Sequence, residues 1–305
     1  KFDDQWLEFK EKIYTSKLKV AGIFKVPVKR TIYKSKYGPT FKTDEGVFAW
    51  RFMVGKTIKM AEQWYRMNKA KNFNEFKKAL EIRGLTSLNI VYADKEDNIY
   101  YLSNGRFPNR NPNYDWSKVV IGNTSETLWN NDIIPLDSLP QVLNPTSGWV
   151  FNTNNTPFSS TDLINNPKET ALNKIMGYQS VELENNRSNR FLELMSQYDS
   201  ISYDDFKRIK YDNQYPTKMM TPKAVNLEMM MHLDEKKHPG IADAILLLKK
   251  WNRKSDKTNT SAALFILSYM YVDEKRKKEN RIVRNGTITL EDCIYGITKA
   301  KEELL

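Results

Sequence analysis

The hydrophobic period of this chain changes along its length, and that change limits the available folds more than any other feature. In the first 55 residues, Lys17/Leu18/Lys19/Val20 and Ile32/Tyr33/Lys34 approach the period-2 alternation of a half-buried antiparallel strand. Gly22 and Pro27 read as breaks, Tyr37-Gly38-Pro39-Thr40 as a turn or bulge, and Gly46 to Phe52 as another strand. From about residue 166 onward the apolar residues recur at helical spacing instead. A chain that is β in front and helical behind belongs to the α+β class.

Between these regions the signals are mixed. Ile58 to Met67 carries Met60, Ala61, Trp64 and Tyr65 at helical spacing. Asn72-Phe73-Asn74-Glu75 has the form of a capping box, with Phe76, Leu80 and Ile82 as an apolar face and Gly84 as the stop. These residues make a helical insertion near 56–84. Ser87 to Tyr92 and Asn98 to Leu102 form a hairpin pattern around a polar turn at 93–97. Residues 104–166 are loop-rich, with short strands such as Gly148-Trp149-Val150-Phe151; Trp116, Trp129 and Trp149 argue that these loops are ordered and packed.

In the helical part, Asn166-Pro167-Lys168-Glu169 sets an N-cap, an N1 proline and an N3 glutamate before Gly177 ends the helix. Ser202-Tyr203-Asp204-Asp205 starts another, carrying Phe206 and Ile209. Ile241, Ile245, Leu248 and Trp251 form one apolar stripe, and Ala263, Ile266, Tyr269 and Met270 a second. Thr289-Leu290-Glu291-Asp292 caps a last helix with Leu290, Ile294, Ile297 and Leu304 on one face, running to Leu305. The expected division is residues 1–165, β-rich, and 166–305, a helical region packing on it.

Charge and composition narrow the function less. The 305 residues hold 48 Lys plus Arg against 37 Asp plus Glu, a net charge of +11, and the whole excess lies in residues 1–80. Lysines interleaved with Tyr, Phe and Ile allow a non-catalytic binding module whose basic β face takes anions or nucleic acid. They equally describe strands with one solvated face, and residues 1–50 contain Arg30 as their single arginine, where phosphate readers favour Arg. No stretch approaches the roughly 18–20 apolar residues a spanning helix needs, and Cys293 is alone, so no internal disulfide or Cys-based zinc site forms. The chain holds no GxGxxG, GxxxxGK[ST], HExxH or GxSxG motif. Its two histidines, His232 and His238, read as structural or surface residues, and Asp3/Asp4 and Asp204/Asp205 as turn and cap residues.

An ordered set of short motifs carries more. Trp6 and the Thr31-to-Thr40 run, Asn89-Ile90-Val91-Tyr92-Ala93-Asp94 with Asn98-Ile99-Tyr100, and Gly105-Arg106-Phe107-Pro108-Asn109-Arg110 come first. Gly122, Trp129, Leu139-Pro140, Asn144-Pro145, Gly148-Trp149-Val150 and Asn152-Thr153-Asn154-Asn155-Thr156-Pro157 follow in order. In this set the chain resembles the β-chain of the penicillin acylase family of N-terminal nucleophile hydrolases, which includes acyl-homoserine-lactone and aculeacin acylases. It departs from the family pattern at Tyr37, where members commonly have His, and at the Asp97-Asn98 turn, where they have Gly-Asn.

The resemblance implies an enzyme that hydrolyses the amide of an N-acyl substrate, whether penicillin-like, an acyl-homoserine lactone or a related acyl amide. It implies part of a four-layer α-β-β-α sandwich. It places the oxyanion-hole asparagine at Asn154 and a site-organising arginine at Arg187, residues that on local grounds alone read as loop and helix-surface groups. The family's nucleophile is the first residue of its β-chain, activated by its own α-amine; Lys1 cannot take that part. The expectation is therefore an internal β-chain fragment, inactive alone, whose partners are the α-chain and the front of the β-chain. No cofactor is expected, although some members hold calcium near the positions of Pro108 and Asp162. No nucleic-acid or membrane partner is expected, and the location is periplasmic or exported, as is usual in the family.

Overall fold

The computed structural model describes all residues except 21, 23, 54–56, 179–184, 222, 284–285 and 305, together with the Lys174 side chain. The chain divides into two compact units. Residues 1–151 and 157–178 form the first; 152–156 and 179–305 form the second.

The first unit is built on two antiparallel sheets. β1 (Lys10–Val20) and β2 (Phe24–Lys34) pair over their full length, from Lys10 opposite Lys34 to Val20 opposite Phe24. β3 (Pro39–Thr43) joins β2 at Tyr33 and Lys34, and β4 (Gly46–Ala49) pairs with β3. Three expectations change here. Every residue of β1 is exposed, so its alternation records the pleat of a ribbon without a buried face. Pro27 does not break β2: it sits opposite Lys17, and among the described residues no strand pairs with β2 on its other side at that position, where a residue without an N–H is tolerated. The last strand stops at Ala49, short of Phe52.

α1 (Met60–Lys69) and α2 (Phe73–Leu80) follow. The apolar side of α1 faces outward, with Met60, Trp64 and Tyr65 exposed, while its buried residue is Gln63, whose Oε1 accepts from the Leu85 N–H at 2.8 Å. Ile58 lies ahead of the helix and is exposed. Asn72 caps α2 as expected, accepting from the Glu75 N–H at 2.9 Å, but Glu75 reaches back one residue further, to the Lys71 N–H. Arg83, not Gly84, takes the positive φ after α2. Gly84 answers a different need: a Cβ there would lie 2.3 Å from the Lys59 carbonyl oxygen. Arg83 is itself buried and donates to the Ile134 and Gly105 carbonyls.

β5 (Ser87–Ala93) and β6 (Ile99–Gly105) form the expected hairpin, joined on the far side of β6 by β7 (Gln141–Leu143). Asp94 ties the hairpin turn, accepting from the Glu96 and Asn98 N–H groups and from the Tyr92 hydroxyl. Phe76, Leu80, Ile90, Tyr100, Leu102 and Met176 belong to this unit's core. Residues 148–151 are not a strand; the Phe151 N–H goes to the Ser160 carbonyl in a loop. Asn166 does not cap a helix either. Its Oδ1 accepts from Thr161 N–H, and α3 (Leu172–Met176) begins six residues later, ending at Gly177 in the left-handed region (φ 73°).

The second unit is helical: α4 (Asn186–Met195), α5 (Tyr203–Lys210), α6 (Ala242–Lys249), α7 (Thr260–Lys278) and α8 (Leu290–Leu304). Ser202 and Asp205 form the full capping box at α5. The stripe Ile241, Ile245, Leu248, Trp251 is buried as its spacing predicts. On α7 the buried face runs instead through Ala262, Phe265, Ser268 and Val272, leaving Ile266 and Met270 exposed. On α8 Ile297 is buried with Cys293 and Ala300, whereas Leu290 and Leu304 are exposed; Leu305 lies outside the described residues. α7 and α8 approach closely at Gly296, where a Cβ would stand 2.4 Å from the Ser268 carbonyl oxygen.

Fully buried Asp292 secures the start of α8. It accepts a fork from Arg281 (2.7 and 3.0 Å) and the Thr289 N–H, and Thr289 Oγ1 accepts from the Asp292 N–H. The Arg281 hydrogen bonds hold its carboxyl well below the usual aspartate range, against the opposing effect of burial.

Two stability predictions follow from these contacts. Gly296→Ala is expected to cost about 1–3 kcal/mol in urea denaturation, because its new methyl meets backbone rather than a movable side chain. Asp292→Asn should cost about 2 kcal/mol at pH 7. A carboxyl with a depressed folded pKa stabilises above its unfolded value of about 3.9 and loses that contribution as pH falls through the folded value. Wild type should therefore lose stability below about pH 4, and the Asn variant should lose less over the same range.

Candidate functional site

Residues 152–156 belong to the second unit, where they meet the N-terminal turn of α4. The loop is held by its own side chains. Asn152 Oδ1 accepts from the Asn154 N–H at 3.1 Å, and Asn155 Oδ1 accepts from the Thr153 N–H at 2.7 Å. The first is an Asx turn, and both bonds satisfy peptide groups outside any helix or strand. Asn154 takes φ 60°, in the left-handed region that asparagine tolerates better than most residues.

The structure brings the two expected site residues together. Arg187 Nη2 donates to Asn154 Oδ1 at 3.0 Å, across 33 positions of sequence. Arginine carries only donors, so the Asn154 atom it meets must be the carbonyl oxygen. This fixes the amide orientation and turns the Nδ2 hydrogens to the opposite side. Both side chains are exposed in this chain.

Arg187 also stands in an unusual place. It lies in the first turn of α4, where the positive end of the helix dipole disfavours a cation, and that turn holds no acidic residue. The guanidinium adds positive potential at the Asn154 amide, whose Nδ2 hydrogens face away from it.

Several residues that support this pair were not singled out in the sequence. Asn185 caps α4, accepting from the Arg187 and Ser188 N–H groups at 3.0 and 3.1 Å. Asn186 Oδ1 accepts from the Met220 N–H. Arg190 forks onto Asp212, both bonds 2.9 Å, which raises the arginine's pKa and lowers the aspartate's. Glu193 accepts from the Thr217 N–H. An asparagine ahead of the Phe191, Leu192, Leu194, Met195 run is a readable N-cap signal, and Arg190 and Glu193 pair three positions apart; their further partners Asp212 and Thr217 leave no local trace.

Asp162 and Pro108 lie in the first unit. The Asp162 carboxylate accepts from Asn165 Nδ2 (2.8 Å), the Ile164 N–H and Thr161 Oγ1 within a local turn. Pro108 forms a β-bridge with Ile133. Among the described residues, no group of three or more His, Cys, Asp or Glu gathers as metal ligands.

Comparison with known proteins gives one consistent answer. The penicillin amidase family model matches residues 1–288. Penicillin G acylase of Escherichia coli is 30% identical over 131 residues, covering 42% of this chain and 15% of the relative. The solved structure of the thermostable penicillin G acylase from Alcaligenes faecalis superposes with a TM-score of 0.60 at 18% identity, covering 99% of this chain and 62% of that one. The match thus spans less than two thirds of either relative, and the structural likeness concerns the fold.

The strained backbone at Asn154 gives a direct check on the loop. Asn154→Gly should unfold within about 0.5 kcal/mol of wild type, whereas Asn154→Ala should lose about 1 kcal/mol, since a Cβ residue without the amide pays more in the left-handed region. Chemical denaturation of both variants measures the difference.

Proposed function

The chain belongs to the penicillin amidase family, and on that premise we propose that it forms part of an acylase hydrolysing the amide bond of an N-acyl substrate. The observation that carries the reading is the 3.0 Å hydrogen bond from Arg187 to Asn154. In the proposed reaction a Ser, Thr or Cys nucleophile outside this chain gives its proton to its own α-amine, which later passes it to the leaving amine, and attacks the amide carbon. The carbonyl π pair moves to oxygen, giving a tetrahedral oxyanion. Asn154 Nδ2 donates to that oxygen. Collapse expels the amine, which takes a proton, and leaves an acyl-enzyme that water hydrolyses to the acid. Arg187 polarises the Asn154 amide through Oδ1 and strengthens its N–H as a donor. Its charge favours the oxyanion over the neutral ground state, which is where a catalytic contribution must act.

Both groups are exposed here, and a donor open to water contributes little. The proposal therefore assigns the covering of this site, the nucleophile and the rest of a four-layer α-β-β-α sandwich to polypeptide beyond this chain, including a separate α-chain. Penicillin-like amides, acyl-homoserine lactones and related acyl amides are the substrate class proposed. Export to the periplasm is proposed on the same family basis; among the described residues no helix is long and apolar enough to cross a membrane.

Two measurements check this. The 305-residue chain alone should release no acid from chromogenic phenylacetyl or dodecanoyl amides, and measurable turnover would overturn the assignment of the nucleophile elsewhere. In the full-length protein, Asn154→Gly should lower kcat on the order of 10²-fold with little change in KM, the size expected for loss of one oxyanion donor. An unchanged kcat would remove Asn154 from the site.

A further inference from the structure

Asn185 is placed to do two tasks with one side chain. Its Oδ1 caps α4, accepting from the Arg187 and Ser188 N–H groups, while its Nδ2 donates to the Thr153 carbonyl at 3.2 Å. One contact fixes the backbone of the residue before Asn154, and the other fixes the backbone of Arg187 itself. The two ends of the Arg187–Asn154 hydrogen bond are therefore referenced to a single rigid amide plane. Asn155 reinforces the grip, because its Oδ1 accepts from both the N–H and the hydroxyl of Thr153. A residue serving only as a helix cap would need the acceptor and not the donor.

We infer that Asn185 is a positioning residue for the site: it sets the separation of the Asn154 loop and α4, and so the direction in which Asn154 Nδ2 points. The inference rests on the oxyanion reading of Asn154. It adds that the reading depends on a donor at the helix cap, one that touches the backbone of Thr153 and not the substrate. The effect should appear in the transition state, since a misdirected donor loses the oxyanion contact without disturbing binding of the neutral amide.

The test uses the full-length protein with phenylacetyl and dodecanoyl p-nitroanilides. Asn185→Ser keeps a good N-cap acceptor, adds no charge and removes the Nδ2 group that reaches Thr153, leaving a shorter hydroxyl in its place. It should lower kcat about tenfold with KM within about twofold and an unchanged urea midpoint, a split expected when only orientation is lost. The double variant N154G/N185S should turn over no more slowly than N154G, because a residue acting through Asn154 has nothing left to orient. Unchanged kcat in N185S, or additive losses in the double variant, would overturn the inference while leaving Asn154 in the site. An unaltered kcat in N154G would instead remove the oxyanion reading, and the inference with it. Should N185S fail to fold, Asn185→Asp, an equal cap bearing no donor, is scored in the same cycle. A loss that persists on the N154G background would then mark a field effect rather than positioning and count against the inference.

Discussion

Peptide N–H and C=O groups that leave a helix or sheet still require partners, and between β6 and α4 this chain meets that requirement with side chains. Asn111, Asp115, Asn130, Asn152 and Asp162 each accept from the N–H two residues on, at Asn113, Ser117, Asp132, Asn154 and Ile164. Asn144 couples turn to sheet, its Oδ1 accepting from the Ile99 N–H and its Nδ2 donating to Asn98. A long stretch with little regular structure is thereby given defined geometry. Asn154 owes its backbone conformation to the same chemistry, so the candidate site is one instance of how this whole region is built.

What the sequence disclosed follows from the range of each interaction. The β5–β6 hairpin, the caps at Asn72, Ser202 and Thr289, and the stop at Gly177 depend on residues within a few positions of one another, and all were legible. The buried face of α7 was not, because apolar residues surround that helix and only its neighbours decide which are covered. The exposed ribbon of β1 and β2 misled for a related reason: alternation predicts burial only where something lies against one face. Pro27 was tolerated because, among the described residues, β3 pairs with the outer side of β2 at Tyr33 and Lys34 and not at Pro27.

For the site, the resemblance supplied Asn154 and Arg187 as separate positions, and the geometry adds that they touch. No periodicity or cap signal could pair residues 33 apart. Asn185 shows the intermediate case. Its acceptor task is written locally, in an asparagine ahead of a helix, but its donor task depends on a carbonyl 32 residues earlier and is silent in the sequence. The lysines of residues 1–80, which first suggested a polyanion surface, include Lys17, Lys19, Lys25 and Lys29 sharing one face of the β1–β2 ribbon.

The assignment of residues 152–156 to the helical unit has a topological consequence. The polypeptide passes from the first unit to the second, back to the first at Pro157, and again to the second after Tyr178. Neither unit is a contiguous length of gene. A truncation at residue 178 would yield a helical piece lacking the five residues that carry Asn154, and the complementary piece would display that loop without the helix that orders it. Isolating the helical unit therefore means re-linking residues 152–156 to it, because neither a single cut nor a circular permutation makes that unit contiguous.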